Sequence, residues 1–333
     1  MPDLDPDLGR VEVLLLGAID DAPAPVCALV GRTLAARGKR LRPALLLAAA
    51  RIFEPPGELQ VRIAAVLELV HQASLVHDDV LDGGRVRHGE PAMNARSGNV
   101  VAVLVGDYLL AQAFRWLALA GSAPALDRLT EAARRTCEGE LLQTLARGDL
   151  GIDEAFYLRA IEGKTAALFA AACELGGALS GADRSDCETL GTCGRAFGMA
   201  FQIADDCLDL RGDDHAAGKT LATDLGTCQA TLPLIHLLGS VPPEDRPSVE
   251  RLVHSADLAA LRVRLEAAGA FAYAEARVRG FLDDALRALG RLPAGPHRSR
   301  LAALVAGRIP EPIRGPLRLG REVCCDVPGA RPA

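Results

Sequence analysis

The stretch Val70-His-Gln-Ala-Ser-Leu-Val-His-Asp-Asp-Val-Leu-Asp82 closes an apolar run with the pattern Asp-Asp-x-x-Asp, and Phe197-Gly-Met-Ala-Phe-Gln-Ile-Ala-Asp-Asp-Cys-Leu-Asp209 repeats that ending later in the chain. At this chain's Asp frequency one such pattern arises by chance in about one sequence in seven, and two in about one in a hundred, so the pair carries information that a single copy would not. In both stretches apolar residues recur at three- and four-residue spacing, which predicts helices. Helical spacing puts Asp78 and Asp82 on one face, a turn apart, and does the same for Asp205 and Asp209, with His71 and Gln202 further back along similar faces. The helices run out at Gly83-Gly84 and Arg211-Gly212, so these carboxylates meet the negative end of the helix dipole, a placement that costs stability without a cation. Oxygen-only donors, few per helix, with no His or Cys in ligand spacing, suit Mg²⁺, which keeps several waters and is completed by substrate phosphates. Diphosphate chemistry follows from that preference.

Working outward, the rest of the chain repeats the helical period. Half of the 333 residues are apolar, mostly Ala, Leu and Val, while only 4% are aromatic, a mixture that suits closely packed helices better than a sheet core. Apolar-periodic stretches cover approximately 43–53, 59–82, 98–120, 124–147, 153–179, 185–210, 229–238, 246–268, 270–289 and 297–308, separated by Gly, Pro or Asp clusters, and no strand alternation is evident. The expectation is an all-α helical bundle around a central active-site cavity, one domain over 1–309 with a loose leader over 1–10. The Pro-, Gly- and Arg-rich residues 310–333 are expected to form an irregular tail.

A net charge of −6 without a long basic stretch excludes the electrostatic footprint of a nucleic-acid partner. Uninterrupted apolar runs are too short to span a membrane and the N-terminus lacks a signal pattern, so a cytoplasmic location is expected. Nine scattered cysteines without Cys-x-x-Cys argue against a disulfide framework or a zinc site and read as mostly buried small apolar residues.

Of the 37 basic residues only Lys39, Lys164 and Lys219 are lysine, and each follows a glycine. A compact ammonium kept in a chain that otherwise uses arginine suggests positions where a point charge is needed. Lys39 lies in Gly38-Lys-Arg-Leu-Arg-Pro43, where it and Arg42 could meet an anion near a helix start. Lys219 follows the second acidic segment much as Arg85, Arg87 and His88 follow the first. Neither Gly-Lys-Thr triplet has the frame of a P-loop.

Taken in order, Gly38-Lys-Arg-Leu-Arg-Pro43, His77-Asp-Asp-Val-Leu-Asp82 with Arg87, Gly106-Asp-Tyr-Leu-Leu110, Gly163-Lys-Thr165, Phe201-Gln-Ile-Ala-Asp-Asp-Cys-Leu-Asp209, Gly218-Lys219 and Thr223-Asp224-Leu225 resemble the trans-prenyl diphosphate synthases over roughly residues 25–309. The resemblance implies the isoprenoid-synthase fold, usually as a homodimer. It implies Asp78, Asp82 and Asp205 as direct Mg²⁺ ligands, with Asp79, Asp206 and Asp209 supporting them. Arg87, Lys164, Thr165, Gln202 and Lys219 would hold the allylic diphosphate, and Lys39, Arg42 and His71 the isopentenyl diphosphate. Asp78, Asp82, Asp205, Lys164 and Lys219 would carry catalysis. Ala73 and Ser74, about one turn before Asp78, would floor the pocket for the growing chain, and their small size implies products of C20 or longer.

The chain departs from the family pattern twice: His88 stands where a second Arg is usual, on the isopentenyl side, and Gln229 where a third loop lysine is usual. Two alternatives stay open at this point. A class I terpene synthase uses the same metal-triggered ionisation but has no need of Lys39 and Arg42, and a weakened regulatory subunit would explain His88 and Gln229.

Overall fold

The structure is a computed structural model, which describes residues 6–20, 22–35, 38–87, 89–212, 227–314, 318–319 and 331–332. His88, Lys219 and the segment Thr223-Asp224-Leu225 lie outside these residues, as do Cys324 and Cys325. Helices dominate the described residues, as expected, and the chain divides into two compact units, most of whose boundaries fall within helices.

The first unit comprises 1–133, 168–191 and 292–301. It holds α1 (Pro6–Gly17), α2 (Ala24–Ala35), α3 (Leu41–Ala50), α4 (Glu58–Leu81), α5 (Met93–Ser97) and α6 (Asn99–Ala120). Helix α4 is its centre and packs against α1, α3, α5 and α6. It begins where the Gly57 N–H donates to the Gln60 side chain (3.0 Å), satisfying an amide that the first turn leaves unpaired. Ile63, Leu67 and Leu69 are among the residues along it that are fully buried, each stabilising the unit by about 2 kcal/mol relative to exposure. Helix α6 approaches α4 so closely that a Cβ on Gly106 would lie 2.2 Å from His77 Nε2, so a larger residue there would displace the His77 ring.

The second unit comprises 134–167, 192–291 and 302–333. It contains the later part of α7 (Ala123–Leu145), then α8 (Glu154–Ile161), a π-helical turn over Glu162–Ala166, and most of α10 (Arg184–Arg211); α9 (Ala167–Ala178) runs between the π-turn and α10. Asp153 caps α8 by accepting from the Phe156 N–H (2.7 Å). Among the described residues five further helices follow, Leu232–Ser240, Arg246–His254, Leu258–Ala267, Ala270–Leu289 and Pro296–Gly307, the last beginning in the first unit and ending in the second.

Several expectations need correction. Helix α2 lay outside the periodic stretches, because Gly31 and Thr33 interrupt its apolar face. The stretch 246–268 is two helices, broken at Ala256 (φ 51°) and restarted by Asp257, whose carboxylate accepts from the Ala260 N–H (3.0 Å). Two short strands, Val86–Arg87 and Glu90–Pro91, pair antiparallel where no strand was expected. In the tail, Glu311–Arg314 is a helical turn, and Arg318–Leu319 pairs parallel with Arg331–Pro332. Two helices, α4 and α6, are long and apolar enough to cross a membrane, which the short uninterrupted runs had concealed. The apolar window of α4 is 72% buried in the protein and that of α6 only 33%. Cys173, Cys187, Cys193 and Cys207 are buried, whereas Cys137 is exposed.

Candidate active site

In the first unit the acidic segment occupies the last turn of α4. Asp78 and Asp82 are half-buried, and Asp82 is the C-cap, its N–H bonded to the Asp78 carbonyl (2.8 Å). Asp79 points the other way and is buried. The two-stranded hairpin delivers Arg87 to it: Arg87 Nε donates to both Asp79 oxygens (2.9 Å each) and Nη2 to Oδ1 (2.6 Å). Burial opposes the Arg87 charge, but the hydrogen bonds to Asp79 and the charges of Asp79, Asp78 and Asp82 outweigh it and raise the guanidinium pKa. Asn94, on α5, donates to the Asp79 carbonyl (2.7 Å) and fixes the helix end. On the other flank His77 Nε2 lies 3.2 Å from the Val103 carbonyl and 3.5 Å from Asp107 on α6.

The cationic turn before α3 belongs to the same unit. Lys39 is exposed. Arg42 is buried, with its guanidinium 4.3 Å above the centre of the Phe169 ring. Burial pushes its pKa down to about 10, while the charges of Glu68 and then Asp78 pull it upward, so it remains a cation at neutral pH within the field of the acidic segment. His71 is half-buried on α4, Ser74 Oγ donates to the His71 carbonyl (2.8 Å), and Ala73 is fully buried.

In the second unit the acidic segment ends α10. Asp205 is half-buried, and Asp206 and Asp209 are buried. Here a chain of side-chain hydrogen bonds answers the central carboxylate. Thr165 Oγ1 donates to Gln202 Oε1 (2.6 Å), Gln202 Nε2 donates to Asp206 Oδ1 (2.7 Å), and the Tyr157 hydroxyl donates to Asp206 Oδ2 (2.5 Å). Three residues expected in the site, Thr165, Gln202 and Asp206, are thus joined. Past the segment, Arg262 Nε donates to the Leu210 carbonyl (2.8 Å), placing a cation at the negative end of the helix.

Lys164 sits in the π-turn, an irregularity that often marks functional positions. Its ammonium is 2.7 Å from Glu140 Oε2 on α7. The contact depends on close approach of the two backbones, since a Cβ on Gly139 would fall 2.1 Å from the Lys164 nitrogen and one on Gly163 would fall 2.7 Å from the Arg135 carbonyl. Sequence reasoning missed Glu140, Tyr157 and Asn94. No local pattern ties them to the motifs they serve, although Gly139 beside Glu140 is a trace of the tight packing.

Among the described residues no group of three or more His, Cys, Asp or Glu side chains converges as a metal site by itself. Each acidic segment therefore offers a few carboxylates on one helix end, the donor set of an ion whose coordination is completed by water and by a phosphate-bearing ligand.

Known proteins place this arrangement. The sequence pattern described as polyprenyl synthetase matches residues 25–264. The chain is 36% identical over 271 residues to the octaprenyl diphosphate synthase of Escherichia coli (strain K12), covering 80% of this chain and 84% of that one. It is 34% identical over 302 residues to heptaprenyl diphosphate synthase component 2 of Geobacillus stearothermophilus, covering 90% and 94%. The fold superposes with a TM-score of 0.86 and 36% identity on a polyprenyl synthase from Caulobacter crescentus CB15 solved with calcium and isoprenyl diphosphate, covering 90% of this chain and 93% of that one. Both acidic helix ends, the cationic turn and the Gly-Lys-Thr turn fall inside the matched region, and the chain belongs to the polyprenyl synthetase family, and with it to the prenyltransferases.

Proposed function

We propose that this prenyltransferase condenses isopentenyl diphosphate with an allylic prenyl diphosphate, releases diphosphate, and makes products of C20 or longer. The observation that carries the reading is that a chain with two acidic helix ends also buries a cation, Arg42, which has no hydrogen-bonded carboxylate among the described residues and lies in the field of Glu68 and then Asp78. A buried cation without a bound partner is costly, and an incoming anion would repay that cost. A class I terpene synthase has no second diphosphate to meet it.

Asp78, Asp82 and Asp205 are the direct ligands in this reading, and Asp79, Asp206 and Asp209 support them. Mg²⁺ fits the oxygen-only donor set and, when bound, would neutralise substrate diphosphate charge. Arg87, Lys164, Thr165, Gln202 and Lys219 hold the allylic diphosphate, while Lys39, Arg42, His71 and His88 hold isopentenyl diphosphate. Charge on the departing diphosphate is stabilised by Lys164, Lys219 and Arg87 as the allylic C–O bond ionises. The isopentenyl double bond attacks the cation, a C–C bond forms, and the proton lost in restoring the alkene passes to the released diphosphate. Buried Ala73 and half-buried Ser74 leave room for a long chain, in keeping with the C35 and C40 names of the two relatives.

Each unit carries one acidic segment, and residues 1–309 are read as one enzyme domain. A homodimer is supported by α6, whose outward side exposes Val100, Leu104, Phe114 and Leu119 as an apolar strip suited to a second copy. A cytoplasmic site of action fits α4, whose apolar length is spent inside the protein's own core.

The test is to incubate purified protein with Mg²⁺, isopentenyl diphosphate and each allylic diphosphate in turn, and to size the products. Elongated prenyl diphosphates of C20 or longer are expected. Diphosphate release without consumption of isopentenyl diphosphate would instead identify a cyclase. Turnover only after addition of a second component would favour the regulatory-subunit reading, which the name of the Geobacillus relative keeps in view.

A further inference from the structure

The cationic turn has a member that the proposed function does not use. Arg40 stands between Lys39 and Arg42, yet it is buried and its guanidinium is taken up by protein partners. Its Nη1 donates to Glu68 Oε1 on α4 (2.9 Å), Nε to Glu12 on α1 (2.6 Å) and Nη2 to the Leu34 carbonyl at the end of α2 (2.7 Å). One side chain thus joins three helices. Its backbone is left-handed (φ 45°, ψ 41°), a region that costs a non-glycine residue about 1 kcal/mol and persists only where the surroundings over-determine it. That reversal is what turns the chain between Lys39 and Leu41, where α3 starts with Arg42 in its first turn.

Glu68 is the second half of the device. It is buried, and its Oε1 accepts from both Arg40 and Gln72 (2.8 Å to Gln72). Its Oε2 and Arg42 Nε are both buried without a hydrogen-bond partner among the described residues. A carboxylate so placed is committed to Arg40 by contact and to Arg42 by field, and the charge of Glu68 is the strongest one holding Arg42 protonated.

We infer that Arg40, locked by Glu68, is a positioning residue: it holds the left-handed turn that presents Lys39 and Arg42 together to the diphosphate of the isopentenyl substrate. The inference rests on the assignment of Lys39 and Arg42 to that substrate. Since a misplacement of about 1 Å in a binding group is felt strongly, loss of the lock should act on one substrate and spare the other.

The experiment measures steady-state kinetics of the full-length protein against both substrates, with thermal midpoints, for Arg40→Gln, Arg40→Lys and Glu68→Gln. Arg40→Gln and Glu68→Gln are expected to raise KM for isopentenyl diphosphate about tenfold, while KM for the allylic diphosphate and kcat move less than about threefold. Arg40→Lys, which keeps the charge on Glu68 but not the three-helix fork, should fall between these variants and the unmodified protein. If Arg40→Gln does not fold, Glu68→Gln carries the same expectation. An unchanged isopentenyl KM, or a parallel rise of both KM values with a fall in thermal midpoint, overturns the inference. An unmodified protein that turns over allylic diphosphate without consuming isopentenyl diphosphate would overturn the functional reading first, and the inference with it.

Discussion

The two Asp-Asp-x-x-Asp segments are close copies in sequence, yet their central carboxylates are answered by different chemistry. Asp79 receives a forked guanidinium from Arg87, eight residues away, whereas Asp206 receives neutral donors, Gln202 one turn back and Tyr157 forty-nine residues away. Arg87 thus brings a positive charge to Asp79, whereas both of these donors to Asp206 are neutral. The first is therefore a locally closed unit of helix end and hairpin. The second depends on α8 being packed in register beside α10.

The largest expected effect would show whether both segments are needed despite that difference. Asp78→Ala and Asp205→Ala should each lower kcat on the order of 10³-fold, the loss expected when a group that stabilises developing charge is removed. Initial rates at saturating Mg²⁺ check this. A near-normal rate in either variant would break the symmetry of the pair and leave one segment with a structural role only.

A smaller effect should expose the difference itself. Asp79→Asn leaves Arg87 without its anion, and because that side chain is 31% exposed and partly reaches water, the cost is about 2 kcal/mol rather than the larger penalty of a fully buried charge. Asp206→Asn keeps an acceptor for either Tyr157 or Gln202 and should cost about 1 kcal/mol. Urea unfolding midpoints of the two variants would separate them. Equal destabilisation would mean that the Arg87 fork contributes no more than a pair of neutral hydrogen bonds.

This contrast also explains what the sequence made legible. Helices α4 and α10 could be read because long apolar periods end in distinctive residues, and that was enough to find both acidic segments and the cationic turn. The hairpin carrying Arg87 could not, since two-residue strands show no alternation. The break at Asp257 had a readable cap, but the apolar period continues across it and conceals the left-handed Ala256. The residues that complete the second site, Tyr157 and Glu140, are ordinary in their own windows and acquire roles only when α7, α8 and α10 come together. His88 and Lys219, singled out by the sequence, lie outside the described residues.

The finest effect concerns how each segment is held rather than what it binds. Tyr157→Phe removes the hydroxyl that donates to Asp206 Oδ2 and leaves that buried carboxylate held less firmly in position. Groups that orient metal ligands from behind commonly change metal affinity by about tenfold, so the half-saturating Mg²⁺ concentration should rise by roughly that factor while KM for isopentenyl diphosphate stays put. The counterpart in the first segment is Asn94→Ala, which frees the Asp79 carbonyl but leaves the Arg87 fork intact. Its effect on the Mg²⁺ requirement should be smaller, because a charged fork and a hairpin still fix that helix end. If Asn94→Ala proved the more damaging of the two, the first segment would be held by its backbone contact rather than by its ion pair, and the distinction between a locally closed site and a packing-dependent one would fail.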